Sequence, residues 1–357
     1  MKLSSALIFF LLPFLVLSCE NPSSNDDENT PPSVPPEWSE VDLGSVYPRD
    51  LFPHPGKPGV VFLGGYNLDA TDLYVFLRSS DWGQSWDTLI TGRQVLAVAF
   101  CPSDPDLMFA NAVLYDEVSS PAWLLVSQDG GDTWAKRGES QVDRSSVLWI
   151  DPADINHLWN GWGSQEEMYG FAESCDGGLT WTDVLPEMFS AEVASAPYRV
   201  SALYFKADDP AVIYAGCVNK QGYGQALRTE DDFSSITVIR ESEEPLGFGF
   251  TLNEDDSNRM TVTERNRISY SEDGGSTWTV FNHPDDEAVS FDGKSAWIGD
   301  SVYVSMDAVV WALNVNDGIW NLNRDFSDQM MIAFLEAVAD ESLYLFYVSK
   351  NSLFIYR

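Results

Sequence analysis

Three arginines stand at corresponding places in three successive segments of the chain. They are Arg93, Arg144 and Arg199, and each precedes the apolar end of a predicted strand by six or seven residues. Guanidinium groups that converge on one point bind a carboxylate or phosphate through paired hydrogen bonds. The spacing therefore predicts an anion-binding site, unless each arginine pairs with a nearby acid such as Asp143.

Carboxylates and aromatic rings occupy other predicted loops. Glu243 and Asp285 are candidate catalytic acids, and Trp162, Tyr169 and Tyr223 are candidate ligand-binding rings. Rings beside carboxylates suit sugar stacking and glycosidic acid–base chemistry. They equally suit a protein-binding rim, or simply solvated loops. A Ser-His-Asp site is not supported, since the three histidines do not fall together in the predicted loops.

A recurring motif indicates what positions these loops. The pattern Ser-x-Asp-x-Gly-x-(Ser/Thr)-Trp occurs at 79–86, 127–134, 174–181 and 271–278, with weaker copies at 229–236 and 316–320. Asp-Gly accepts the positive φ of a tight turn, and the Asp and Ser side chains bind turn backbone. The Trp opens the next strand and buries a large ring. The motif therefore predicts a hairpin turn and its anchor, without a direct catalytic role.

The motif recurs every 42 to 55 residues, with about four strands in each interval. This period is typical of propeller blades. We predict an all-β chain: a single seven-bladed β-propeller of four-stranded antiparallel blades, with the last blade closed by the N-terminal strand at Trp38. The loops named above then share one face. We call it the crown face: the loops from each fourth strand to the next first strand, and from each second to third strand.

The N-terminus predicts export and lipidation. Residues 1–18 contain one lysine and an apolar run that suits a lipoprotein signal peptide, and the run ends at a lipobox-like Val-Leu-Ser-Cys with Cys19 as the lipidation site. Residues 19–37 predict a disordered acidic, proline-rich tether, and residues 38–357 the propeller. We expect a secreted protein lipid-anchored to the bacterial cell envelope, at the outer membrane or cell surface. The alternative is an ordinary signal peptide followed by a chance cysteine.

The net charge and the cysteine content limit the kinds of partner and metal that the chain is expected to bind. The formal net charge is -35, from 55 acidic and 20 basic residues. Such a chain is unsuited to nucleic acid, whose phosphates favour a basic face. Beyond Cys19, the spacing of Cys101, Cys175 and Cys217 suggests no metal site and allows at most one intramolecular disulfide. We expect no cofactor and a monomer.

Over residues 38–357 the motifs resemble those of the Asp-box, or BNR-repeat, β-propellers. This family includes sialidases, xyloglucan-cleaving glycosidases, sortilin-type receptors and photosystem II assembly factors. The resemblance implies that the motif lies on the blade periphery, away from the ligand face. Length and lipobox look most like the assembly-factor type. The sialidase Phe-Arg-Ile-Pro motif is absent from the sequence, and xyloglucan-type enzymes join two propellers.

Together these features predict a non-catalytic, lipid-anchored propeller that binds a protein or glycan partner at its crown. The alternative is a polysaccharide-active glycoside hydrolase of the sialidase superfamily type that uses crown carboxylates such as Glu243 and Asp285.

Overall fold

The structure is a computed structural model. It describes residues 38–69, 73–114, 122–140, 146–163, 169–184, 197–219, 221–245, 248–253, 255–284, 291–306, 309–325, 336–338, 344–348 and 352–356. These residues belong to one compact unit, Glu37–Arg357. They form β-strands joined by turns. Within these ranges there is no helix of the length and apolar character needed to span a membrane.

Six blades each consist of four consecutive antiparallel strands, ordered in the sheet as in the chain. The strand before them is β1 (Trp38–Asp42). Blade 1 contains β2 (Val46–Pro53), β3 (Val61–Asn67), β4 (Tyr74–Ser79) and β5 (Asp87–Thr91). Blade 2 contains β6 (Gln94–Cys101), β7 (Asp104–Val113), β8 (Ala122–Ser127) and β9 (Ala135–Ser140). Blade 3 contains β10 (Ser146–Ile150), β11 (Leu158–Gly163), β12 (Tyr169–Ser174) and β13 (Thr182–Asp183).

The same arrangement continues through three more blades. Blade 4 contains β14 (Pro197–Lys206), β15 (Asp209–Asn219), β16 (Tyr223–Thr229) and β17 (Thr237–Pro245). Blade 5 contains β18 (Gly249–Leu252), β19 (Met260–Glu264), β20 (Arg267–Ser271) and β21 (Thr279–Asn282). Blade 6 contains β22 (Phe291–Ile298), β23 (Ser301–Met306), β24 (Val309–Asn314) and β25 (Trp320–Asp325).

The chain ends meet in a separate sheet. The first strand, β1, pairs antiparallel with the last, β28 (Ser352–Tyr356), from Trp38↔Tyr356 to Asp42↔Ser352. Towards the interior, β28 pairs with β27 (Tyr344–Val348), and β27 pairs with the three-residue β26 (Glu336–Val338). We call this the terminal sheet. Each first strand contacts the first strand of the next blade, and β26 contacts both β22 and β2, which closes the ring.

The prediction of a seven-bladed propeller whose last blade is closed by the N-terminal strand is therefore wrong. The propeller body has six blades of consecutive strands, and the first and last strands of the chain pair in a sheet of their own. The physical difference lies in how the strands are connected along the chain. In each blade a turn links the third strand to the fourth, whereas β28 and β1 are opposite ends of the chain and only their ladder of hydrogen bonds joins them. The all-β class and the four-stranded antiparallel blades are as predicted.

The core lies between neighbouring sheets. Middle strands are buried on both faces, as in β19, where every residue is buried, whereas fourth strands such as β5 are mostly exposed. One apolar cluster joins Phe171 of blade 3 to Leu203 of blade 4. Another joins Leu353 of the terminal sheet to Leu63 of blade 1. Because each sheet packs on two neighbours, burial of apolar area holds the whole ring together.

The repeated motif forms one hydrogen-bonded turn between third and fourth strands. Ser127 Oγ donates to Asp129 Oδ1 at 2.8 Å and accepts from Gly131 N at 2.8 Å. Asp129 Oδ1 also accepts from Thr133 N at 2.9 Å. The same bonds recur in the copies at 79–86, 174–181 and 271–278. We call this arrangement the repeat turn.

The weaker copy at 229–236 forms the repeat turn as well. Thr229 replaces the serine, and its hydroxyl accepts from Phe233 N at 3.1 Å. Phe233 stands where the other copies have glycine, and it adopts a φ of 66°. This left-handed backbone conformation is unfavourable for a residue other than glycine. The ring is buried and packs edge-on against Phe171 of blade 3 at 5.2 Å between centroids, which offsets that cost.

Candidate functional site on the crown face

The predicted site residues lie in several parts of the crown. Arg93 lies in the connection from β5 to β6, Tyr223 begins β16, and Glu243 lies near the end of β17. Three more of the predicted residues lie at strand ends on the crown side: Trp162 on β11, Tyr169 on β12 and Arg199 on β14. The structure describes the backbone of these three residues but not their side chains. Arg144, Asp285 and Cys19 lie outside the described residues. The convergence of the three arginines therefore stays a prediction.

Arg93 contacts an aromatic ring at the boundary of blades 1 and 2. Its guanidinium carbon lies 3.3 Å from the ring centroid of Trp123, a half-buried residue at the crown end of β8. Lys136 Nζ lies 4.8 Å from the same centroid. Cations beside an indole are attracted by its π electrons. Lys136 Nζ is also paired with Glu139 Oε1 at 2.9 Å. We call Arg93, Trp123 and Lys136 the cation–aromatic cluster, in which Arg93 and Trp123 place a cation against an aromatic surface in a strongly acidic protein.

A network of fixed charges joins blades 4 and 5. Glu264 at the end of β19 is only 4% exposed. Arg267 Nε donates to Glu264 Oε2, and Arg240 NH2 of β17 lies 3.6 Å from Glu264 Oε1. Arg267 NH1 also donates to Glu243 Oε2 at 3.0 Å. Because a buried carboxylate needs paired partners, the two arginines supply the opposite charge that allows Glu264 to be buried. We call these four residues the charge network.

The charge network also acts on Arg267 itself. Burial lowers the pKa of its guanidinium, but hydrogen bonds and attraction from Glu264 and Glu243 outweigh burial, so the pKa of Arg267 is raised overall. Glu243, the predicted catalytic acid, is therefore already engaged by a permanent cation. Its side chain is 64% exposed, so the pair with Arg267 is well solvated. The network therefore links blades 4 and 5 electrostatically, and Glu243 is one partner in that link.

Tyr223 lies next to a second polar group of blade 4. The register places Tyr223 opposite Pro245 and Gln225 opposite Glu241. Gln225 is buried, and its Nε2 donates to Glu241 Oε2 at 2.6 Å. Tyr223 is half-buried at this edge, with its backbone N–H donating to Asn219 Oδ1 at 3.0 Å. Tyr223 and Glu243 therefore lie at the same end of the blade 4 sheet, and their part in a binding site stays a prediction.

Sequence reasoning missed three members of the network: Arg240, Glu264 and Arg267. A signal was present, since Glu264 and Arg267 flank a two-residue hairpin turn and carry opposite charges. Arg240 came from a strand 24 residues away, so its proximity to Glu264 depended on how blade 4 packs against blade 5. Trp123 was missed because it lies on β8, two strands away from Arg93 at the start of blade 2, and only the register of that sheet brings the two side chains together.

The ring of four-stranded antiparallel sheets defines the chain as a β-propeller. No known protein family and no curated protein matches its sequence. Solved propellers match the fold. "YCF48 bound to D1 peptide" has 13% identity and a TM-score of 0.59, with 89% of this chain and 96% of that chain covered. YCF48 from Cyanidioschyzon merolae has 13% identity and a TM-score of 0.63, covering 89% and 98%.

Enzymes also share the fold. The Niastella koreensis GH74 enzyme has 15% identity and a TM-score of 0.64, with 88% of this chain covered. Only 53% of the enzyme is covered, so this chain spans about half its length. At such identities the likeness shows the fold alone.

Proposed function

We propose that the protein is a lipid-anchored binding propeller of the bacterial cell envelope that recognises a protein partner through its crown loops. The observation that carries this proposal is the engagement of Glu243 by Arg267. A general acid must be free to reach the substrate and give up a proton. Glu243 Oε2 instead accepts a hydrogen bond from Arg267, which also donates to the buried Glu264 of blade 5.

The cation–aromatic cluster supports a binding role. Tryptophan, tyrosine and arginine are enriched where proteins bind one another. Trp123, Arg93 and Tyr223 supply these side chains at the crown edges of blades 2 and 4. The structure titled "YCF48 bound to D1 peptide" offers a precedent for a peptide on a propeller of comparable length. By analogy with that structure, the proposed ligand is a peptide segment of a protein partner, and glycan binding is the second form of the same proposal.

The Asp-box family membership, the crown arginines and the lipid anchor belong to this proposal. The repeat turns supply the family's hydrogen-bonding residues at five sites, which supports that membership. Arg144 and Arg199 would extend the positive charge begun by Arg93 around the crown. Cys19 would hold the propeller at the membrane through its acyl chains. Replacing Cys19 by Ser should abolish incorporation of an alkyne-tagged fatty acid and release the protein from the membrane fraction; retention of the label would refute the assigned lipidation site.

Site-specific photo-crosslinking in cells tests the partner. A benzophenone amino acid at Tyr223 should yield adducts with an envelope protein. The matched control is Leu179, which is 54% exposed in the repeat turn of blade 3, on the opposite face. Arg144→Ala in the Tyr223 background should reduce the adduct if the crown arginines contribute. Adducts from Leu179 alone, or of equal yield from both positions, would place recognition elsewhere and contradict the proposal.

The alternative is a glycoside hydrolase, which the shared fold with the GH74 enzyme favours. A panel of plant and bacterial polysaccharides separates the two functions. Turnover that is lost on Glu243→Gln or Asp285→Asn would establish the hydrolase and overturn the binding proposal. Binding without turnover, weakened by Arg93→Ala, would support the glycan form of the binding proposal instead.

A further inference from the structure

On the face opposite the crown, blade 3 brings three different metal-ligating side chains together. His157 lies in the turn between β10 and β11, Glu173 lies on β12, and Cys175 follows two residues later in the repeat turn. One nitrogen, oxygen and sulfur atom of these residues all lie within 4.8 Å of one another. His157 Nε2 and Glu173 Oε2 are 3.6 Å apart. Ligands of a tetrahedral zinc ion are separated by roughly 3.3–3.8 Å, given bonds of about 2.0–2.3 Å.

The imidazole is held in the orientation that such a site needs. Asp151 Oδ2 lies 3.2 Å from His157 Nδ1, so the Nδ1–H points to a carboxylate and Nε2 points to Glu173 and Cys175. The ring also packs on Trp159, with centroids 3.8 Å apart. His157 Nε2 is buried and has no hydrogen-bond partner among the described residues. A carboxylate behind a histidine is the usual outer-shell arrangement of protein metal sites.

The surrounding charge favours a cation. The carboxylates of Glu173, Asp154, Asp176 and Asp232 place negative charge near the Cys175 thiol. A divalent ion at this point would offset that negative potential and stabilise the thiolate. Nitrogen and sulfur ligands select zinc-like metals, whereas calcium and magnesium require oxygen ligands.

We propose that His157, Glu173 and Cys175 form a zinc-binding site with one position left for water. The ion would fasten the β10–β11 turn to the repeat turn of the same blade, and Asp151 would act as a positioning residue through His157. The spacing of the cysteines did not predict this site, because its ligands come from a loop, a strand and a turn that meet only in the folded blade. The site is independent of the crown, so it stands or falls separately from the proposed binding function.

Titration of the purified full-length chain with zinc sulfate tests the proposal. We expect one tight site per chain by calorimetry, and a rise in Tm with zinc concentration because the ion binds only the folded state. Cobalt(II) in place of zinc should give the ultraviolet charge-transfer absorption of a thiolate ligand. Cys175→Ser and His157→Gln should each weaken zinc binding at least 10-fold, and Asp151→Asn should weaken it about 10-fold or more. His54→Gln is the matched control, since that imidazole lies in the corresponding turn of blade 1, where its carboxylate partner is Asp106.

A second measurement needs no variant. Cys175 is exposed, whereas Cys101 and Cys217 are buried, so iodoacetamide should modify Cys175 first, and zinc should slow that reaction at least 10-fold. Peptide mass spectrometry reads Cys175 apart from Cys19. Zinc that leaves the alkylation rate unchanged, or that binds Cys175→Ser and His157→Gln as tightly as wild type, would overturn the proposal. Displacement of zinc by an equal concentration of magnesium would do the same, because it would indicate general attraction to an acidic surface.

Discussion

In the four repeat turns that have glycine at the fifth position, this glycine lies against the preceding sheet, and Gly131 offers the sharpest test of the contact. A Cβ at Gly131 would lie 2.7 Å from Cε1 and 3.0 Å from Cζ of Phe62 in blade 1. The Phe62 ring is fully buried and stacks on Phe76 at 5.7 Å, so it has little room to shift. The backbone of Gly131 also has a φ of +90°. We therefore predict that Gly131→Ala destabilises the fold through both backbone conformation and packing between blades.

The two contributions can be separated. A left-handed conformation costs an L residue about 1–2 kcal/mol, and overpacking a buried site adds about 1–3 kcal/mol. Gly131→Ala should therefore cost ~2–5 kcal/mol in the free energy of unfolding. Gly44 provides the control: its φ is +61°, and a Cβ there would meet nothing within 4 Å. Gly44→Ala should cost only about 1–2 kcal/mol.

Thermal and urea unfolding of the full-length variants measure the difference. At roughly 2 °C per kcal/mol for a chain of this size, the expected loss of Tm is ~4–10 °C for Gly131→Ala and ~2–4 °C for Gly44→Ala. Phe62→Leu combined with Gly131→Ala should recover part of the loss, with a coupling energy of about 1 kcal/mol or more. Equal destabilisation by Gly131→Ala and Gly44→Ala, together with no coupling, would refute the idea that the glycine is required for contact between blades.

Three further predictions concern charge and packing. Hydrogen bonds from Thr133 lower the pKa of Asp129 from 3.8 to about 2. The ionised form therefore stabilises the folded state above pH 4, and this contribution is lost as the pH falls towards 2. In acid unfolding followed by circular dichroism, Asp129→Asn should weaken the dependence on pH in this range. Arg267→Gln should lower the free energy of unfolding in urea by about 3 kcal/mol, because Glu264 would stay buried with a weaker partner. Glu243→Gln should lower it by less than about 1 kcal/mol, because the pair of Glu243 with Arg267 is well solvated. Phe233→Gly should lower the free energy of unfolding by about 2–4 kcal/mol, because the lost burial exceeds the relief of its backbone.

Each of these has a clear contrary result. An acid-unfolding curve of Asp129→Asn that overlays wild type would remove the carboxylate from the pH response. Equal costs for Arg267→Gln and Glu243→Gln would mean that burial of Glu264 does not govern the network. A Phe233→Gly variant as stable as wild type would show that contact with Phe171 contributes little at the boundary of blades 3 and 4.

The repeat turn made most of the fold predictable. Its Ser, Asp and Gly residues fix a local structure by short-range hydrogen bonds, so the positions of third and fourth strands followed from spacing. The geometry of the repeat turn tolerates more sequence change than the motif indicates. In the weaker copy at 229–236, Thr229 and Phe233 form the same hydrogen bonds in place of serine and glycine. The seventh blade was the wrong part of the prediction, because the spacing of the tryptophans gave the Trp38 strand the place of a fourth strand, whereas β1 and β28 pair in a sheet apart from the six blades.

The candidate sites were less predictable. Arg93 and Glu243 were named from loop position, yet their contacts with Trp123 and Arg267 depend on packing between or across sheets. His157 and Cys175 are 18 residues apart with no motif between them, and the antiparallel register that pairs Leu158 with Ser174 brings them together. Local sequence determines turns; the side chains that meet across blades are determined by the ring as a whole.

The pairing of β1 with β28 has a mechanical consequence. Any pull on the chain ahead of Trp38 reaches the propeller through β1, whose five residues pair with β28 alone. Glu40 Oε1 accepts from Ser352 Oγ at 2.7 Å within this ladder, and Trp38 Nε1 donates to Asn323 Oδ1 of blade 6 at 2.6 Å. A pull on the chain end would therefore load this short ladder first. Detachment of β1 would leave the outer edge of β28 unpaired, while β26 would still contact β22 and β2 and keep the ring closed.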